Sequence, residues 1–283
     1  MNINHIDEII NKNSKMLENI NEYDNICMQI RGILKNIESI IPEDSRENFY
    51  TNLSTLNIIC TESINSNPDA VGGYNEKENH IYVNKNMLEN TKISEHSVDM
   101  VLRTMYHELL HMASTTRDEE KKYYSSGFEN KFMNKDGEFM YSESLVGMSE
   151  GITEKLAIDA FDKKSYESFS VYLKQMNFIE HMSLLVGMET IKKAYFNNRN
   201  GMSQIEEKLK EIDGQDTHRM LYQKIETEFN SSLDPNYDPV YQGDYDENLV
   251  YSIEKDLLGL SKIKINKLIE SDSKITNEEV FEF

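Results

Sequence analysis

The sequence predicts an α+β protein, because helical periodicity governs both ends of the chain and a short β-rich stretch interrupts it. Apolar residues recur at mostly helical spacing over 3–41, from Ile3, Ile6, Ile9 and Ile10 to Ile37 and Ile41, and Pro42 ends that run. From about residue 54 the character changes. "LSTLNIICTES" is β-branched and compact, and "AVGGYNEKENHIYVN" reads as two short strands around the polar turn Asn75 to Glu78. Beyond residue 164 the chain returns to helical patterns, in "SFSVYLKQMNFIEHMSLLVGMETIKKAYF", "MSQIEEKLKEI" and "ENLVYSIEKDLLGL". These shifts divide the chain into an N-terminal helical segment (1–50), a mixed core (51–162) and a helical C-terminal subdomain (163–283).

At 283 residues the chain can bury a sizeable core. Its 16 Tyr and 11 Phe, against a hydrophobic fraction of 38%, mark a polar globular protein and not a disordered one. The formal charge of -20 repels phosphate backbones and anionic lipid surfaces, which argues against a nucleic-acid or membrane partner. Cys27 and Cys60 are too few for a disulfide framework and read as reduced thiols. The N-terminus lacks a basic region followed by an apolar one, and no run is long enough to span a bilayer, so the expectation is a cytoplasmic protein, with leaderless export compatible with the same residues.

The chemistry centres on "MYHELLHMAS", residues 105–114. Its helix is expected to begin after Ser94, a good N-cap, with Glu95 in the first turn where the helix dipole favours negative charge. Val98, Val101, Leu102, Met105, Leu109 and Met112 form the buried stripe, with His107 and His111 to one side. Residues four apart stack on one helix face, so the two imidazoles can converge on one ion, while Glu108 is rotated to lie beside it as a base and not as a ligand. A catalytic zinc site needs a third protein ligand and one open position. The extended pattern with a nearby Gly and third His is absent, since Ser114 and Arg117 occupy those positions, which argues against a metzincin. The remaining source is an acid from a second helix, "GMSEGITEKLAIDAF", which offers Glu150 and Glu154 one turn apart.

"HELLH" followed by "SEGITE" resembles the gluzincin group of zinc metallopeptidases, the thermolysin-like arrangement. The resemblance spans residues 71–161, about a third of the chain, and implies a zincin-like catalytic core. It implies that Glu150 is the third zinc ligand and that Glu154 orients His107 from behind. Ser149 stands where an Asn is common, and the 39-residue step from His111 to Glu150 is longer than in the thermolysin-like enzymes, so the group is supported rather than any one subfamily. The implied activity is hydrolysis of a peptide or protein bond, with one zinc ion per chain and Glu108 as general base. The edge formed by Val71 to Tyr74 or Asn79 to Val83 would hold an extended peptide by strand addition. Such enzymes add an oxyanion-stabilising group, for which Tyr141 and His181 are the candidates.

The competing expectation is a non-catalytic, zinc-stabilised helical interaction or regulatory protein. Glu108 separates the two, because a structural site has no use for a base beside the ion. His5, His80, His96 and His218 read as surface or strand residues, and the many Met residues as core filler. "DYDENL" begins like a calcium loop but lacks its Gly and its bidentate Glu, and phosphate-binding Gly loops and a nucleophile elbow are absent.

Overall fold

The computed structural model describes residues 5–64, 67–68, 70–118, 120, 123–133, 139–161, 172–197, 201–214, 218–232 and 247–271. The architecture is α+β and mainly helical, with two small sheets. The N-terminal run folds as α1 (His5–Lys12), a 3-10 turn, α2 (Asp24–Ile40), a second 3-10 turn and α3 (Arg46–Thr55). The periodicity that predicts helices is the periodicity that is buried: Ile26, Ile30, Ile33, Leu34 and Ile37 line the inner face of α2. Each such side chain contributes about 1.5–3 kcal/mol relative to leaving it in water. The helix α3 is an addition to the expectation. Its inner face is only Phe49, Asn52 and Leu53, too sparse to signal a helix by pattern.

Strands β1 (Asn57–Thr61), β2 (Gly72–Asn75) and β3 (His80–Asn84) form a sheet in the order β1-β3-β2. The expected hairpin is β2–β3, antiparallel with Tyr74 opposite Ile81. It closes at Asn79, which takes a positive φ of 56° in a region Asn tolerates better than most residues. The Asn79 side chain is buried and donates to Asn52 O (2.7 Å) and Thr55 Oγ1 (2.8 Å), while Arg117 donates to its Oδ1 (2.7 Å). β1 joins β3 in parallel, which leaves β2 as an edge strand.

After α4 (Lys85–Asn90) comes α5 (Glu95–Ser114), the helix of the histidine motif. Ser94 is its N-cap, accepting from the Ser97 N–H at 3.3 Å, as the sequence predicts. The buried stripe is wider than expected: from Met105 to Ser114 all residues but Glu108 are buried, because α5 is packed by α2, α3, the later helix over Val146–Phe161 and the β2 strand together. Val98 is only partly buried against that core.

The stretch after Arg117, expected as a Tyr- and Phe-rich connection, is a second sheet: β4 (Thr116–Asp118), β5 (Tyr123–Ser126), β6 (Glu129–Met133) and β7 (Phe139–Ser144) run as an antiparallel meander. The turn expected at Asn134 to Gly137 lies outside the described residues, as does most of the loop over 231–248. The second motif helix is α6 (Val146–Phe161), followed by α7 (Leu173–Val186), α8 (Met188–Phe196), α9 (Gly201–Asp213), α10 (His218–Ser232) and α11 (Glu247–Ser271). One cluster of buried apolar side chains runs from Ile6 through α5 and α6 to Leu260, drawing on all three sequence segments. Among the described residues no helix is long and apolar enough to cross a membrane.

Candidate metal centre

Helices α5 and α6 pack directly on each other, and polar contacts set their relative height. Ser114, at the end of α5, accepts from the Gly127 N–H at 3.0 Å, and Ser149, on α6, accepts from the Phe128 N–H at 2.8 Å. The turn between β5 and β6 is thus gripped by both helices, and Thr153 of α6 is hydrogen-bonded to the Tyr195 hydroxyl of α8 at 2.7 Å. Satisfied buried polar groups of this kind fix one arrangement where apolar contacts alone tolerate several.

The result is that His107, His111 and Glu150 converge, and together they could hold a metal ion. His107 Nε2 lies 3.1 Å from His111 Nε2 and 3.0 Å from Glu150 Oε2, and His111 Nε2 lies 3.5 Å from the same carboxylate oxygen. Behind them, Glu154 Oε2 is 3.1 Å from His107 Nδ1. A carboxylate there assigns the ring proton to Nδ1 and leaves the Nε2 lone pair turned to the centre. Glu154 is itself buried and ion-paired to Arg103, one turn before His107 on α5.

Electrostatics follow from this crowding. Burial pulls the His111 imidazole down, but the Glu150 carboxylate and its hydrogen bond outweigh burial and raise it from 6.5 to about 9. Burial pushes Glu150 up, yet the adjoining histidines hold it well below the usual carboxylate range. Glu108 is partly buried beside the group. Burial lifts its carboxyl above the ordinary range, against the pull of His107, His111 and a hydrogen bond from the Tyr74 N–H. That last bond ties Glu108 to β2, the edge strand.

A cavity of about 610 Å³ opens along this face of α5, lined by Val71 and by Gly72 at the start of β2, by Asp99, Arg103, His107 and Glu108 of α5, and by Tyr172. Tyr172, just ahead of α7, is absent from the sequence reading: its ring stacks on His107 at 5.6 Å and 21°, and its hydroxyl is hydrogen-bonded to Glu150. Its distance along the chain from both motifs leaves no spacing that could have announced it. Arg103 had a signal, since it precedes His107 by one helical turn. Glu129 of β6 is a third such residue, a buried acid whose charge reaches His111 and Glu150 and which pairs with Lys131 at 3.2 Å.

Of the expected oxyanion groups, His181 is exposed on α7 and does not line the cavity, because the inner face of that helix is taken by Phe178, Ile179 and Met182. Tyr141 belongs to the backbone of β7, and its side chain lies outside the described residues. His96, expected at the surface, is exposed and stands at the rim of the cavity. His80 is in β3, 3.4 Å from Glu78. Cys27 and Cys60 are free thiols. Comparison with protein families, with curated proteins and with solved structures gives no match to this chain.

Proposed function

We propose that the chain is a zinc-dependent metallopeptidase of gluzincin type, with His107, His111 and Glu150 as zinc ligands and a zincin-like core formed by the β1–β3 sheet, α5 and α6. The observation that carries this reading is the spacing of the three donor atoms. Ligand atoms about 2.0–2.1 Å from a tetrahedral ion stand about 3.3–3.4 Å from one another, and the three here are separated by 3.0, 3.1 and 3.5 Å. Two imidazoles and a carboxylate suit zinc, and three protein ligands leave one position for water. Bound there, zinc supplies Lewis acidity that polarises a carbonyl and brings the pKa of a water toward about 7.

The chain's own groups do the rest. Glu108, beside the ligands and oriented by the Tyr74 N–H, accepts a proton from water and returns it to the leaving amine. The Tyr172 hydroxyl, within hydrogen-bonding reach of Glu150 and facing the cavity, is placed to donate to an oxyanion. β2, an edge strand among the described residues and beside the cavity, is the element an extended peptide would join by strand addition. A structural zinc site, the competing reading, closes with four protein ligands, whereas the described residues bring together three.

The test is a peptide-library screen on wild type and Glu108→Gln, with zinc content measured on both. Cleavage lost with zinc retained supports the reading; zinc bound by both with no cleavage from either transfers support to the structural module.

A further inference from the structure

The helix that supplies Glu150 and Glu154 starts behind a residue that cannot cap it. It begins at Val146 behind Leu145, and its first turn holds no acidic residue. A leucine side chain cannot accept the amide groups that a helix start leaves without intrahelical partners. They are met from α10 instead. Glu226 Oε2 accepts from the Gly147 N–H at 2.9 Å, and Glu226 Oε1 accepts from the Met148 N–H at 3.2 Å. These two amides precede Glu150 by three and two residues, so the carboxylate sits at the positive end of the helix about one turn from the metal ligand. The approach depends on Gly147, where a Cβ would lie 2.7 Å from Phe229 Cβ and 3.3 Å from Glu226 Oε1. Helix α10 reaches the surroundings of the centre at two other points. Glu228 accepts from Lys174 (2.9 Å) and from Gln175, both at the start of α7, and the Phe229 ring lies 6.1 Å from that of Tyr172, which stacks on His107.

We propose that Glu226 is a positioning residue for the metal centre: by pinning the first-turn amides of α6 it fixes how Glu150 meets His107 and His111. This rests on the reading of His107, His111 and Glu150 as metal ligands, and is independent of whether the chain cleaves peptides. A site of this kind holds its ion well only when its ligands are kept within about 0.5 Å of their working geometry. The first turn of a helix is where the backbone frays most readily without a cap.

The experiment measures zinc affinity of the full-length protein by competition with a chromophoric chelator, beside thermal unfolding. The proteins compared are wild type, Glu226→Ala, Glu226→Gln and Leu221→Ala, the last a buried apolar residue on α10 that offers no hydrogen-bond acceptor to the α6 amides. Glu226→Ala is expected to weaken zinc binding about tenfold or more. Glu226→Gln, which keeps one acceptor, should fall between Glu226→Ala and wild type, and carries the test if the alanine variant does not fold. Leu221→Ala should lower the melting temperature while binding zinc like wild type at temperatures where it is folded. Wild-type affinity in both Glu226 variants, or an equal loss in Leu221→Ala, overturns the proposal with the metal site left standing. Wild type that takes up no zinc overturns the metal site itself, and the proposal with it.

Discussion

Replacing Gly72 by alanine tests how closely the edge strand is pressed onto the motif helix. A Cβ at Gly72 would lie 2.4 Å from Thr104 Cγ2, 3.4 Å from Tyr82 O and 3.6 Å from Glu108 Cγ. The last two are tolerable contacts. The first is a collision, since carbon atoms pack best about 3.5–4.0 Å apart. Relief requires β2 to lift from α5 by about 1 Å, or Thr104 to change χ1 and give up its present packing. Overpacking of this size costs about 1–3 kcal/mol. Thr104→Ser removes the colliding Cγ2 while keeping the hydroxyl, so Gly72→Ala combined with Thr104→Ser should recover most of that loss. Urea unfolding of the four proteins as a double-mutant cycle measures the coupling, expected at about 1 kcal/mol or more in the recovering direction. Gly72→Ala as stable as wild type, or single effects that merely add, would refute the close approach of strand and helix on which the placement of Glu108 depends.

Other expectations follow from the same geometry. With His111 raised to about 9 by Glu150, zinc entering at neutral pH must displace a proton; apparent affinity should climb between pH 7 and 9, and calorimetry in buffers of different ionisation heat should register the release. In chelator-treated protein the His111 contribution to stability is fully present below 6.5 and is lost as pH rises through about 9, whereas that of Glu150, lowered from 4.5, is present above 4.5 and is lost on acidification. Melting temperatures across that range check both signs, and a melting temperature that climbs from pH 6.5 to 9 would contradict the first. Arg103→Met leaves the buried Glu154 carboxylate without its ion-pair partner and should destabilise by about 3–5 kcal/mol, with Glu154→Gln added to it recovering much of the loss; no recovery would mean the pair is not coupled. Tyr172→Phe removes the hydroxyl but keeps the stack on His107, so it should leave zinc content unchanged while lowering kcat on any cleaved peptide about tenfold or more, and loss of zinc instead would assign Tyr172 to ligand positioning.

What the sequence made legible was local. Ser94, most of the stripe of α5 and the His107/His111 pair are set by sequence features that operate over a few residues. Glu150 and Glu154 were readable as partners because they repeat that spacing on a second helix, although the sequence alone said nothing of how deeply they lie. The second sheet was not readable. Its strands bury small polar residues such as Ser125 and Ser126 next to Tyr124, so the alternation that signals a half-buried strand never develops. The parallel pairing of β1 with β3 is a non-local choice that no window of residues encodes. Tyr172, Glu129 and Glu226 reach the centre from remote positions, and ordinary surface acids and tyrosines look the same in a chain with 50 acidic residues and 16 Tyr. His181 shows the converse error: a plausible residue type in a plausible region, set on the outer face of its helix.

On the proposed reading, His107, His111 and Glu150 form one zinc site. Elemental analysis of purified wild type, His111→Ala and Glu150→Ala, each supplied with zinc and then freed of excess, tests it most directly. About one zinc per chain is expected in wild type, with most of it lost in both variants. Zinc-free wild type, or a Glu150→Ala protein that retains its metal in full, would contradict that reading.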